Sequence, residues 1–436
     1  MRRKLLFVSV ALMFLVSFSL VAADQTVLRL LYFQWDPGNA VQKVAAEYEA
    51  ATKGKVKVEV ELPSLTDWYN KWLANIQAQD YQWDLVVIDS QWIGMAVAGN
   101  AVVDLTDLIG KKPFVKQIPD VVKPYYMGDP SGKGRIWSVP LEADAELLFY
   151  RTDLMNNATE KANFKKRYGY DLQVPKTWFQ LRDISEFFTR PDQKLWGYIS
   201  KFGKGYDVIT WDFAQVLWCF GGEYWDRATR TAQGYINSPK SVEGLEFYKS
   251  LTRFAPPGWP TAEFDATVNS MSQGIVMFAI EWSSFAPSMF NPKNSKVWDK
   301  VGVAVPPAGP AGHWVSLGGQ PLTISAFSTH KKEAADFIEW FYKPENIWKY
   351  AQANGHPSYT DVLKDPKFWK ILPQNKALWE ALPFVKDVWN TQGYDELLTA
   401  AQELLNSAVT GNIPVKDALD QLAERNQATF DSYFPK

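Results

Sequence analysis

Trp83-Asp84-Leu85-Val86-Val87-Ile88-Asp89-Ser90-Gln91-Trp92 decides how the rest of the chain is read. Leu85 to Ile88 are four consecutive apolar residues, the pattern of a strand buried on both faces. Such strands belong to parallel sheets covered by helices. The run stops at a carboxylate, an amide and an indole, and ligands of open α/β sheets bind beyond the carboxyl ends of the strands. Two readings of this tip stay open. In one, Trp92 covers the C–H face of a sugar ring while Asp89 accepts hydrogen bonds from its hydroxyls. In the other, Trp92 packs in the core and Asp89 or Ser90 caps the next helix.

Working outward, Val27 to Trp35 reads as a strand and Gly38 to Thr52 as a helix. Val56, Val58, Val60 and Leu62 alternate with charged residues as a half-exposed strand. Asp67 to Gln79 is a helix whose Trp68 and Trp72 read as core. The β-α-β-α-β order predicts a mostly parallel sheet. The first strand's tip, Trp35-Asp36-Pro37-Gly38, repeats the indole-and-carboxylate chemistry of the Asp89–Trp92 tip, so both tips are candidate ligand contacts.

Further along, Gly128 to Gly134 is a polar turn. Ile136 to Tyr150 follows as a segment crossing between lobes, with Glu142 and Asp144 on one face of the extended chain. Tyr206, Asp207, Trp211, Asp212, Glu223, Tyr224 and Trp225 make an aromatic, acid-rich region of the kind found in lids and binding loops. Gly274 to Trp282 is a second apolar strand, ending in Glu281-Trp282. Val301 to Pro307 is another candidate crossing, Leu317-Gly318-Gly319-Gln320 is a tight turn before a strand, and the last hundred or so residues read as helical.

A chain of 436 residues exceeds one average domain. Its aromatic share of 15%, with 20 Trp, is more than a core requires and suggests surfaces for amphipathic ligands. Arg2, Arg3 and Lys4, the apolar stretch Leu5 to Val21, and Val21-Ala22-Ala23 form a secretory leader over residues 1–23. The formal net charge of −2 becomes more negative once that leader is removed, so nothing electrostatic points to nucleic acid. The single cysteine, Cys219, sits in an apolar run and reads as a buried thiol. With three scattered histidines the chain shows neither a zinc pattern nor a Cys/His nucleophile, and no phosphate-binding glycine loop. No metal or cofactor is expected.

The chain resembles the extracellular solute-binding proteins of carbohydrate ABC importers, the maltose-binding-like family. The resemblance rests on an ordered set of individually weak motifs. They begin with the leader, the strand and helix at Val27 to Thr52, and Trp83 to Asp89. Next come Gly134-Arg135-Ile136-Trp137-Ser138-Val139-Pro140, Leu148 to Leu154 and Pro175-Lys176-Thr177-Trp178. Gly274-Ile275-Val276-Met277, Leu317-Gly318-Gly319 and Asn354-Gly355-His356-Pro357-Ser358 complete the set. It implies an α/β fold of two lobes, discontinuous in sequence, closing by a hinge over a sugar. On that pattern the N-terminal lobe is 24–139 plus 281–329, and the C-terminal lobe is 140–280 plus 330–436.

The implied cleft residues are Trp35, Asp36, Asp89, Gln91, Trp92, Glu142, Asp144, Glu281, Trp282, Gly318, Gly319 and Gln320, with Trp211, Glu223 and Trp225 from the second lobe. The function implied is a non-catalytic periplasmic receptor, a monomer that delivers an oligosaccharide to a membrane permease. Many relatives carry a lipid-attachment cysteine after the leader, and this chain has none. A secreted glycoside hydrolase would share the aromatics and carboxylates, but the eight-fold strand–helix pattern of the commonest hydrolase barrel is missing. A receptor for a non-sugar solute is the third reading.

Overall fold

The computed structural model of the protein describes residues 25–128 and 133–435. The leader at 1–23 and part of the polar turn between Gly128 and Gly134 lie outside them. Eleven strands are described: β1 (Thr26–Leu31), β2 (Val56–Glu61), β3 (Leu85–Val87), β4 (Val139–Pro140), β5 (Asp144–Arg151), β6 (Trp196–Ile199), β7 (Val276–Trp282), β8 (Val301–Ala304), β9 (Val315–Gly318), β10 (Pro321–Ile324) and β11 (Val385–Lys386). They form two sheets. The first has the order β2-β1-β3-β10-β4, and the second β11-β9-β5-β7-β6 with β8 also on β5. As the β-α-β-α-β order predicts, β1 pairs in parallel with both β2 and β3, while β10 joins β3 antiparallel.

The apolar run at Leu85 to Ile88 is fully buried at the centre of the first sheet. The helix Leu65–Ala78 starts at Ser64, whose hydroxyl accepts the Asp67 amide, the capping arrangement that satisfies a free N–H of the first turn. It buries Trp68 and Trp72 against that sheet, and the Trp68 indole donates to the Val87 carbonyl at 2.9 Å. Both indoles are core, as their helical spacing predicts. Cys219 is likewise buried and unpaired. Among the described residues no helix is long and apolar enough to cross a membrane.

Sheet membership departs from the sequence-derived lobes in two places. Strands β8 and β9 pair with β5 in the second sheet, although the 281–329 segment was expected with the first lobe. The helix Lys331–Phe341 packs on β10, and the helix Pro344–Gln352 packs on Asp36–Ala45. Both therefore accompany the first sheet, with Tyr48 set against Phe337 and Trp340. Helix Gln374–Ala381 packs on β5 and β8. The long helices Tyr394–Val409 and Val415–Tyr433 pack with Ile209–Phe220 and Pro239–Leu251, on the second sheet's side.

Three stretches carry the chain between the sheets. Leu141 to Ala143 joins β4 to β5, Gly319 and Gln320 join β9 to β10, and the stretch after Asn354 returns from the first-sheet helices. They lie side by side. The amides of Leu141 and Glu142 donate to the Gln320 carbonyl, and the Ala143 amide donates to His356 at 2.8 Å. The Val301 to Pro307 stretch, expected to cross, stays within the second sheet. Gly319 has φ +95°, and a Cβ there would stand 2.5 Å from the Glu142 carbonyl oxygen. A Cβ on Gly318 would meet the Trp282 ring at 2.7 Å. Two adjacent glycines let these crossings touch one another and the indole.

Candidate functional site

Between the sheets lies a cavity walled from both sides. Phe33, Trp35, Leu65, Asp89 and Gln320 enter from elements of the first sheet. Asp144, Tyr206, Asp207, Phe264, Trp282 and Phe285 enter from the second, and the Gly318-Gly319 turn closes the floor. The rings form a continuous wall. Phe33 stacks on Trp35 at 4.4 Å, Trp35 tilts against Phe285 at 5.6 Å, and Phe285 stacks on Phe264 at 5.0 Å between centroids. The Trp35 indole nitrogen is buried beside the Tyr32 hydroxyl.

Asp89, Asp144 and Asp207 share the cavity with these rings. Asp89 ends β3 and is 4% exposed; Asp207 is 9% exposed. The Tyr206 hydroxyl reaches Asp89 at 3.5 Å, and the Tyr394 hydroxyl reaches Asp207 at 3.4 Å. Burial, then the charges of Asp207 and Asp387, push the Asp89 carboxyl well above the carboxylate range. Burial and the Asp387 charge push Asp207 up to about 8. Burial also raises Asp387 itself, which accepts from Ser90 at 2.8 Å and Gln91 at 3.1 Å. Asp144, held by Ser283 and the Ala145 amide, is pushed up by burial to about 6. Among the described residues no group of His, Cys, Asp and Glu is placed to hold a metal ion.

Trp35, Asp89, Asp144, Trp282, Gly318, Gly319 and Gln320 thus come together on one cavity. The other sequence-derived candidates do not line it. Asp36 is half-buried in the first turn of its helix, turned from the cavity. Gln91 spends its amide on Asp387. Trp92 is fully buried, 4.3 Å from Trp68, and its indole donates to the Tyr206 hydroxyl at 2.8 Å. It fixes a cavity wall from behind.

Glu142 serves the crossings. It accepts from Tyr32 at 3.0 Å and from Ser284, and Tyr32 also reaches Gln320 at 2.9 Å. Glu281 points away from the cavity into a buried cluster. There Lys201 lies 2.7 Å from Asp212, 3.0 Å from Glu146 and 3.5 Å from Glu281. Trp211 is buried in the helix Ile209–Phe220. Glu223 pairs with Lys386, and Trp225 stacks on Phe430 at 5.0 Å; both line a separate surface groove. Sequence reasoning did not place Phe33, Leu65, Phe264, Phe285 or Asp387. It noticed Tyr206 and Asp207 only as part of an aromatic loop.

A family model described as bacterial extracellular solute-binding protein matches residues 34–348. The chain belongs to that family. A Deinococcus radiodurans protein named "Probable ABC transporter-binding protein" is 28% identical over 304 residues, 68% of this chain and 67% of that one. A solute-binding protein from Agrobacterium radiobacter, solved in complex with ribitol, aligns with TM-score 0.77 at 24% identity, covering 93% of this chain and 99% of that one. Maltose-bound MalE3 of T. maritima aligns with TM-score 0.76 at 23% identity over 92% and 99%. These likenesses show the two-lobe α/β fold of a solute-binding protein.

Two substitutions separate wall from support. Trp92→Ala empties a buried site against Trp68 and should cost about 3–5 kcal/mol of stability in denaturant melts. Asp207→Asn acts the other way. The Asp207 carboxyl has an ordinary value of 3.8 and is raised to about 8 in the folded chain. Its contribution to stability is therefore fully present below pH 3.8 and is lost as pH rises through about 8. Asp89, Asp387, Tyr206 and Tyr394 face it, and Lys201 acts on it from behind. The amide variant should melt higher than the parent chain above pH 8 and match it near pH 3.8. A parent chain that melts higher at both ends would contradict the buried repulsion.

Proposed function

We propose that this solute-binding protein is a non-catalytic carbohydrate receptor that closes its lobes over a saccharide and hands it to an ABC permease. The carrying observation is the cavity itself: aromatic rings from both sheets line it together with buried carboxyl groups and an amide. Aromatic rings cover the C–H face of a sugar, and carboxylates accept from paired hydroxyls more strongly than neutral groups do. Ribitol and maltose in the two aligned structures support a polyhydroxyl ligand.

The lobe division that supports this reading places 25–140, 319–353 on one body and 141–318, 359–435 on the other. It replaces the division drawn from sequence, because β8 and β9 sit in the second sheet and the helices of 331–352 on the first. The hinge is then the three adjoining crossings, and neither body alone carries a complete wall. The leader and the family together support a periplasmic location and a membrane permease as partner.

Saturating ligand should raise the melting temperature, since it binds only the native state, and should lower the radius of gyration in small-angle scattering. The same saccharide should be recovered intact after long incubation with concentrated protein. Shortened products that vanish in Asp89→Asn would replace the receptor with a hydrolase. A stabilising saccharide that leaves the radius of gyration unchanged would remove the hinge.

A further inference from the structure

The carboxyl groups that line the cavity are those of Asp89, Asp144 and Asp207, and among the described residues no Lys, Arg or His side chain lines it. Asp89 and Asp207 come from opposite sheets and are each at least nine-tenths buried; their hydroxyl contacts are long, at 3.5 and 3.4 Å, and beside them only the Ser90 amide and the Trp211 indole act as donors, neither of them charged. The nearest positive charges are committed elsewhere. Lys201 sits within salt-bridge distance of Asp212, Glu146 and Glu281, and Arg227 acts on Asp387 from the groove side. Burying a charge without a partner costs far more than burying a hydroxyl. A neutral sugar could donate hydrogen bonds to these oxygens, but it would bring no charge to offset them. An anionic sugar would add to the repulsion.

We propose that the ligand is an amino sugar, a hydroxylated ring whose protonated amine lies between Asp89 and Asp207. This rests on the receptor reading and narrows its ligand class. The bound amine would favour the ionised form of both carboxyls, which burial otherwise pushes toward the protonated form, through charge-assisted hydrogen bonds. The faces of Trp35, Trp282 and Phe285 would take the C–H face of the ring, and aromatic faces also attract a neighbouring cation. Asp144 stands apart from this pair, because Ser283 and the Ala145 amide already hold its oxygens. It is left to accept from ring hydroxyls.

The test is calorimetric titration at about pH 7, where a sugar amine is largely protonated. D-Glucosamine, D-galactosamine and D-mannosamine are each compared with the parent hexose and the N-acetylated derivative. At least one amine should bind at least about ten-fold tighter than both of its neutral counterparts. In Asp89→Asn and in Asp207→Asn that preference should shrink several-fold. The preference is a ratio measured within one variant, so it does not depend on the folded fraction, and a cooperative melt confirms each variant folds. A hexose that binds as tightly as its amine overturns the proposal and leaves the receptor reading standing. Binding by neutral saccharides alone does the same. Silence from these sugars and from longer neutral saccharides overturns both.

Discussion

Carboxyl groups buried between two bodies, with no ion pair among the described residues, are the constraint on which the rest of this molecule depends. Asp89 belongs to the tip of β3, Asp207 to the loop before the helix Ile209–Phe220, and Asp387 to the end of β11. Asp207 and Asp387 share one body, and Asp89 meets them only when the two sheets meet; their charges then raise its proton affinity. Bringing the sheets together therefore requires protons, or a guest that makes hydrogen bonds and supplies charge. Ser90 and Gln91 of the first body donate to Asp387 of the second, and the Gly94 amide donates to Asn390 at 2.8 Å. Those bonds reward contact between the bodies, while the charges of Asp207 and Asp387 beside Asp89 oppose it. A guest in the cavity decides between the two.

The crossings are tied to one another by a buried hydrogen-bond network. Glu142 accepts from Tyr32 in the first body and from Ser284 in the second, and Ser284 also meets His356 Nδ1 at 2.7 Å. One buried carboxylate thus touches both bodies and the third crossing. Burial holds His356 neutral, with its pKa lowered to about 4, so it contributes a hydrogen bond and no charge at neutral pH. Breaking one arm of such a network leaves a buried acid unsatisfied, at a cost of about 1–3 kcal/mol. That cost keeps the three segments aligned.

Much of the fold was legible in the sequence because its signals are local. Four apolar residues at Leu85 to Ile88, alternation at Val56 to Leu62 and helical spacing at Trp68 and Trp72 all act within a few residues, and the structure matches each of them. The site was harder. Glu281 and Trp282 are neighbours on one strand, so their side chains face opposite ways; the indole reaches the cavity and the carboxylate reaches Lys201. Nothing short of the sheet pairing says which is which. Trp92 could serve a ligand or the core, and the outcome was set by Trp68, delivered by a different helix. Asp387 lies 297 residues from Ser90, and no spacing rule spans that distance. The lobe boundaries failed for a similar reason, because β9 and β10 are separated only by Gly319 and Gln320 yet belong to different sheets.

The division of the cavity between two bodies also explains how binding can do work. A ligand shifts an equilibrium only by its difference in affinity for the two states. Trp35, Asp89 and Gln320 form one incomplete wall, and Asp144, Asp207 and Trp282 form another. A guest resting on either wall alone keeps half its surface in water and meets carboxylates still hydrated. Only the closed arrangement gives it both ring faces and desolvated acceptors, where each charge-assisted bond is strongest. Behind the second wall, Lys201 lies 5.6 Å from the Trp282 ring centroid, anchored by its own carboxylates. That indole is held at a fixed place before the guest arrives, and the entropy of ordering it falls on folding instead of on binding. The aromatic wall is thus prepared in advance, while the charge balance is left incomplete until a ligand supplies it.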